Sequence, residues 1–364
     1  MGLNPSNVCE NSIAKCIFFK AIYGLSGTPR LCFGLFVLEM SDDLNLDVYF
    51  PQFAQYLLSG DHAPAFAKLC ADGAWEQDAE HALEASLCKQ FGVKKQADWP
   101  VAPLALMGEE AQQAAGYWFV VHPVHFVLQR DYFTLGDAVR LNADELKLLA
   151  ALLNQHFAQD ALRFSPSKAD DFLYLHVNDD VDVSTYSLSE AMGRDVGKHM
   201  PSGKDGMKFQ AFLNEVQMLL HDHPINQALE ERGLLAVNSL WLSGGGRFEA
   251  INQSAQKPAF KIFANDALSM GLAKWSGISN GLVKDYASLK LAGDAVIVLA
   301  NNSNLESDWF APVLKSLKQK ELETLRCHFD VHGMTFTLHL KPRDTWKFWR
   351  KLKPSATYFN LANT

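Results

Sequence analysis

The sequence predicts an α/β protein whose largely parallel sheet is flanked by helices. Three observations carry this. Runs rich in branched and aromatic residues recur at 172–177, 234–242, 259–264, 295–300 and 334–340, each short enough for a strand. Amphipathic stretches with helical spacing alternate with them at 143–157, 208–221, 266–275 and 309–322. The chain has 364 residues, 48% hydrophobic and 20% charged, which is ample for a core and for more than one domain.

Taken in order, residues 48–91 read as helical, with Phe53, Leu57 and Leu58 on one stripe and Ala82, Leu83 and Leu87 on another. Asp98-Trp99-Pro100-Val101-Ala102-Pro103 reads as a rigid connector, because two prolines fix φ and oppose a helix. Residues 117–121 form a short buried strand that runs into His122-Pro123-Val124-His125. The helix at 143–157 places Leu146, Leu149, Ala150 and Leu153 on one face. After the strand at 172–177, Asn178-Asp179-Asp180-Val181-Asp182 reads as a solvated acidic turn, since it lacks the glycine and spaced glutamate of a calcium loop. Residues 208–221 make the clearest helix, with Phe209, Phe212, Leu213, Val216, Leu219 and Leu220 as its apolar stripe. Asn214, Gln217 and His221 line the adjacent polar face. Pro224 ends that helix, and Gly233 stops a second one at 226–232.

Composition narrows the function. A net charge of −8 argues against general nucleic-acid binding. Cys9, Cys16, Cys32, Cys70, Cys88 and Cys327 show no CxxC spacing, so neither a zinc ribbon nor a redox dithiol is indicated, and free thiols in a reducing cytoplasm are expected. The leader, 1–39, looks foreign to the rest and is expected to be an over-extended start. Its apolar run at 31–38 is too short for a bilayer, so no stable membrane insertion is expected. Behind it lie a helical region at 40–110, an α+β region at 111–250, an α/β region at 251–354 and a tail at 355–364.

Three groups of residues could carry chemistry. Ser243, Gly244, Gly245, Gly246 and Arg247 follow a strand. Their amides could converge on an anion with the arginine adding donors, or the glycines could serve close backbone packing. His122, His125, His221 and His223 could share a divalent metal if their segments met; otherwise they are caps and core residues. In the basic stretch from Lys341 to Lys353, Trp346, Phe348 and Trp349 could meet single strands or acidic membranes. The expectation is that the rings bury against the domain while the lysines reach water.

Several segments together resemble the RpfE-type regulatory protein family. They are Asp98–Pro103, Pro123-Val124-His125, the stretch 153–157, Gly193-Arg194, the stretch 213–221, His223 to Asn226, Asn238 to Trp241, the three glycines and Trp346-Lys347-Phe348-Trp349-Arg350. Pro123, His125, His223-Pro224, Asn226 and Asn238 with the glycine run further resemble archaeal-type cofactor-independent phosphoglycerate mutases. That resemblance implies an alkaline-phosphatase-like fold, here with a reduced core and an inserted α+β substrate shell at 111–250. It implies that Asn238, Ser243, Gly244, Gly245, Gly246 and Arg247 hold an anion while His125, His223 and Asn226 orient it. It also implies a catalytic centre of two divalent metals held by Asp and His, with an Asp-Gly pair after the first strand. The pattern departs there. His122 stands where an aspartate is usual, Asp72-Gly73 lies in an alanine-rich helical stretch, and the Asp-His pair of Asp61-His62-Ala63-Pro64 lies at the wrong end of the chain.

The expectation is therefore a cytoplasmic, non-catalytic regulatory protein with no confident cofactor, sensing a small phosphorylated or carboxylated metabolite or docking a protein partner. The alternatives are a metal-dependent phosphomutase or phosphoesterase with rearranged ligands, and a protein-interaction module.

Overall fold

Asn45–Phe50, expected to be helical, is instead the central strand of the larger sheet, β1. Leu46, Val48 and Phe50 enter the core on one face and Tyr49 on the other. Asn45-Leu46-Asp47-Val48 does alternate polar with apolar, but the run is short and both faces of the strand are covered. The computed structural model describes residues 44–59, 63–78, 82–109, 115–169, 171–251, 257–299 and 304–359, all within one compact unit, Asp42–Thr364. The leader, Asp61-His62 and the end of the 355–364 tail lie outside the described residues.

After β1 come helices α1 (Phe53–Ser59) and α2 (Pro64–Asp72), edge strand β2 (Ala74–Asp78), and helices α3 (Leu83–Gln90) and α4 (Val101–Glu109). The expected Asp98–Pro103 connector is half helix, because Pro103 falls in the first turn of α4, where its missing N–H leaves no bond unmade. Strands β3 (Tyr117–Leu128) and β4 (Phe133–Ala138) follow, then α5 (Ala143–His156). Asn142 caps α5 by accepting from Asp144 and Glu145, while Glu145 bonds back to the Asn142 amide. Next come β5 (Leu162–Pro166), β6 (Leu173–Val177), α6 (Leu188–Ala191), α7 (Gly206–Leu220), α8 (Pro224–Glu231) and β7 (Ser239–Arg247). The chain returns through β8 (Lys261–Phe263), α9 (Ala267–Ser276), β9 (Asn280–Gly281), β10 (Ala295–Val298), α10 (Ala311–Lys318), β11 (Thr324–Val331) and β12 (Met334–Leu340).

The larger sheet has the order β2-β12-β11-β1-β10-β8-β9. Strands β11, β1, β10, β8 and β9 run parallel, and β12 and β2 extend one edge antiparallel. The second sheet is antiparallel: β3 pairs β7 along one side and β6 and β4 in turn along the other, with β5 outside β6. Both α/β character and the largely parallel sheet thus agree with the sequence.

Three layers of core follow. Phe50, Phe66, Trp309, Phe310 and Phe329 fill one side of the larger sheet. Leu149, Leu153, Phe209 and Val216 cover the second sheet from α5 and α7. Between the sheets, Tyr49 and Val296 meet Val120 and Tyr174 across α4 and α9. Those two helices touch backbone to backbone: a Cβ on Gly271 would lie 1.8 Å from the Leu104 carbonyl oxygen, and one on Gly108 would lie 2.1 Å from that of Ala267. The two sheets are also tied at the β11–β12 hairpin, where Arg194 donates to the His332 carbonyl at 2.7 Å.

Candidate functional site at the strand ends

In open α/β sheets, ligands bind beyond the carboxyl ends of the parallel strands. Here β1 runs into Pro51 and Gln52, and β11 carries Asp330 at its end. Asp330 buckles the two: its oxygens accept from the Gln52 amide at 3.3 Å and from the Gly333 amide of the hairpin turn at 3.1 Å. Ser189, in α6, donates to the same carboxyl. Burial pushes the Asp330 carboxyl up to about 6, against the pull of those bonds. Glu84, in the first turn of α3, is pushed to about 7 by burial and by the charges of Asp330, Glu190 and Asp266. Its Oε2 is shut off from solvent and meets no partner among the described residues. Asp266 caps α9 through the Ser269 amide at 2.9 Å, and burial raises its carboxyl as well.

Four acids therefore share one end of the sheet. Glu84, Asp266 and Asp330 favour protons there. For a raised acid the fold binds more protons than the unfolded chain, so stability falls as pH rises from about 4.5 towards 7. Glu84→Gln should leave urea stability unchanged near pH 4.5 and raise it by about 1–2 kcal/mol at pH 8, a discounted share of ~1.4 kcal/mol per pKa unit.

The opposite half of the same strands holds a closed polar network. Asp47 on β1 is 5% exposed and sits beside Arg326 and His328 of β11. Arg326 grips both carboxylate oxygens at 2.6 Å, His328 Nε2 lies 3.1 Å from one, and Gln90 donates to the other at 3.1 Å. Gln90 in turn accepts from the Tyr49 hydroxyl, and the Tyr49 ring stacks on His328 at 4.3 Å. Burial pushes the Asp47 carboxyl up, but the hydrogen bonds and charges of His328 and Arg326 outweigh it and hold it below the usual range.

The residues expected from sequence to hold a ligand are engaged with the chain itself. Ser243 to Arg247 is strand rather than turn, with a bulge against β3 and Gly244 at φ +62°. The space above the glycines is filled: a Cβ on Gly244 would meet Val101 at 2.6 Å, on Gly245 Phe119 at 2.6 Å, and on Gly246 Pro100 at 2.6 Å. The run lets α4 lie flat on β7. Arg247 is paired with Asp180 of the acidic turn at 2.7 Å. Asn226, His125 and Asn238 do come together, around the segment that enters β7. Asn226 bonds both backbone groups of Val237, His125 Nδ1 lies 2.7 Å from the Ala236 carbonyl, and Asn238 bonds both backbone groups of Phe126. His223 caps α8 by accepting from the Ile225 amide at 3.2 Å. Of the other histidines, His221 is an exposed side chain beside Asp222, and His122 is a buried ring whose pKa burial lowers to about 4.

Comparison with known proteins places this geometry in context. No protein-family model matches the chain. It is 26% identical over 146 residues to the 2,3-bisphosphoglycerate-independent phosphoglycerate mutase of Methanosarcina mazei. It is 24% identical over 180 residues to a probable enzyme of the same description from Geobacter sulfurreducens. Distant homology links the chain to these mutases. The matches cover 39% and 49% of this chain but only 36% and 44% of those proteins, so the chain spans less than half the length of the relatives it matches. Among solved structures, a cofactor-independent phosphoglycerate mutase from Thermoplasma acidophilum aligns over 82% of this chain and 89% of its own, at 15% identity and a TM-score of 0.37. A Pyrococcus horikoshii protein aligns over 82% and 87%, at 13% identity and a TM-score of 0.41.

The two-cation centre implied by the mutase resemblance is not matched by the donors present. Strand β1 ends in Phe50-Pro51-Gln52 in place of an Asp-Gly pair. Asp72 ends α2 and pairs with Lys68 at 2.7 Å, and Gly73 leads into an edge strand. Arg326 occupies both oxygens of Asp47. Among the described residues no three His, Cys, Asp or Glu side chains converge where a metal ion could sit, and His122, His125, His221 and His223 are not brought together.

Sequence reasoning missed Asp47, Glu84, Asp266, Arg326, His328 and Asp330. The signal for three of them was present: Arg326, His328 and Asp330 recur with the period of two that marks one strand face.

Proposed function

We propose that the chain is a non-catalytic regulatory protein of the RpfE-type kind it resembles, built on a scaffold related to phosphoglycerate mutases. The observation that carries this reading is the use of the acids at the strand ends. Asp330 bonds backbone amides, Asp266 caps a helix, and β1 ends without the carboxylate that a two-cation centre requires. Phosphoryl transfer needs cations that neutralise developing charge, and Asp330 and Asp266 are already engaged with backbone amides rather than left open to hold them. Arg247, expected to hold an anion, lies 2.7 Å from the exposed carboxylate of Asp180 in the acidic turn. The buried, unpaired thiols of Cys70, Cys88 and Cys327 support a reducing, cytoplasmic setting.

The test is calorimetry with manganese and 3-phosphoglycerate, separately and together, on the full chain. The expected result is no saturable heat and no shift in Tm. Saturable manganese binding that chelator reverses, coupled to turnover, would favour instead a metal-dependent phosphotransferase with rearranged ligands. For that second reading speak His122 Nδ1, Glu84 Oε2 and Asp266 Oδ2, buried atoms with no hydrogen-bond partner among the described residues.

A further inference from the structure

Beyond β12, Pro342–Trp346 forms a 3-10 turn, and the chain then runs exposed to Pro354 apart from the half-buried Lys347. Sequence reasoning expected buried rings and solvated lysines here; the rings are exposed instead, while Lys341, Lys351 and Lys353 are solvated as expected and Lys347 is half-buried. Lys347 donates to the Asp72 carbonyl at 3.0 Å and pairs with Asp344 at 2.7 Å. Arg350 donates to the carbonyls of Ala71, Asp72 and Gly73 at 2.9, 3.3 and 3.2 Å. These cations satisfy the carbonyl end of α2 and suit the negative pole of its dipole. The segment is thereby pinned with its apolar side chains outward. Trp346 is 69% exposed, Phe348 87%, Trp349 67% and Leu352 58%. Phe348 and Trp349 pack edge-on against each other at 5.2 Å.

Charge is segregated at the same place. Lys341, Arg343, Lys347, Arg350, Lys351 and Lys353 face one acid, Asp344, across this stretch, in a chain whose net charge is −8.

We propose that this lobe, centred on Trp346, Phe348, Trp349 and Leu352, docks the protein peripherally on an anionic lipid bilayer. Protruding tryptophan, phenylalanine and leucine with lysine beside them match the chemistry of the headgroup layer, where rings sit at the acyl boundary and cations meet lipid phosphates. Leu352 offers no face for stacking on a nucleic-acid base. Side chains this exposed project from the surface, whereas a partner helix seats in a groove. No helix among the described residues is long and apolar enough to cross a membrane, so the contact is superficial. The inference stands independently of the regulatory reading above.

The test is sedimentation of the full chain with vesicles of phosphatidylcholine, alone or mixed with phosphatidylglycerol. Binding is expected only to the mixed vesicles and should weaken as salt is raised. The triple variant Trp346→Ser/Phe348→Ser/Trp349→Ser should keep its circular dichroism and lose about tenfold or more in partitioning. Lys351→Glu/Lys353→Glu should weaken binding to the mixed vesicles and flatten its salt dependence, and it decides the matter if the triple variant does not fold. Absent binding, equal binding to both vesicles, or variants that bind as well as the parent would overturn the proposal. So would capture of oligothymidylate, or a dimer that the triple variant dissolves, because either assigns the lobe to another partner.

Discussion

Asp47→Ala should cost about 3 kcal/mol of stability at pH 7, at the lower end of the range for breaking a buried ion pair because Arg326 is 44% exposed. The loss comes from what is left behind. Without the carboxylate, Arg326 keeps its charge beside a buried, stacked His328, and Gln90 loses the acceptor that holds it against Tyr49. The folded carboxyl titrates below its ordinary value, so this stabilisation is complete above about pH 4 and disappears as pH falls through the lower folded pKa. Urea melts at pH 7 and pH 3 should therefore show a large deficit at the first and a reduced one at the second. Equal stability of variant and parent at pH 7 would mean that the network is not formed.

Gly271→Ala should cost a similar amount, about 3 kcal/mol, at the top of the range for overpacking. The added methyl meets the Leu104 carbonyl oxygen at 1.8 Å. That atom is backbone, so trimming a neighbouring side chain cannot relieve the clash, and α4 and α9 must part. Gly277→Ala supplies the contrast on the same helix. Gly277 caps α9 at φ +68° with nothing within 4 Å of an added Cβ, so only the left-handed conformation opposes the change, at about 1 kcal/mol. Chemical denaturation of the two variants should rank them in that order. The reverse ranking would show that the α4–α9 contact is looser than its geometry.

These two sites mark where the sequence could and could not be read. Helices with one apolar face were legible: α5 and α7 fall within two residues of the expected bounds, because a stripe at helical spacing has one structural solution. Strand β12 matched for the same kind of reason. Strand β1 was overlooked although Leu44, Leu46 and Val48 alternate with Asn45 and Asp47, because the run is short and leads directly into the helical stripe of Phe53 and Leu57. The glycine run was seen but misplaced. Three consecutive glycines suit an anion-binding turn or a close helix crossing equally well, and only the positions of Val101, Pro100 and Phe119 choose between them. Asn226, His125 and Asn238 were expected to contact a ligand; in the structure they clamp the entry to β7, a role that single-chain spacing does not separate from ligand contact. The acids at the strand ends were missed because they come from four segments, 84, 190, 266 and 330, that only the topology brings together.

Distant homology to phosphoglycerate mutases and a non-catalytic role are compatible, since a scaffold outlives the chemistry grafted on it. The measurement that tests this most directly is elemental analysis of the purified full chain, with phosphoglycerate mutase turnover assayed in added manganese. No stoichiometric divalent metal and no turnover above the protein-free rate are expected. Two bound cations per chain, with mutase activity that rises with manganese and is lost on chelation, would contradict it.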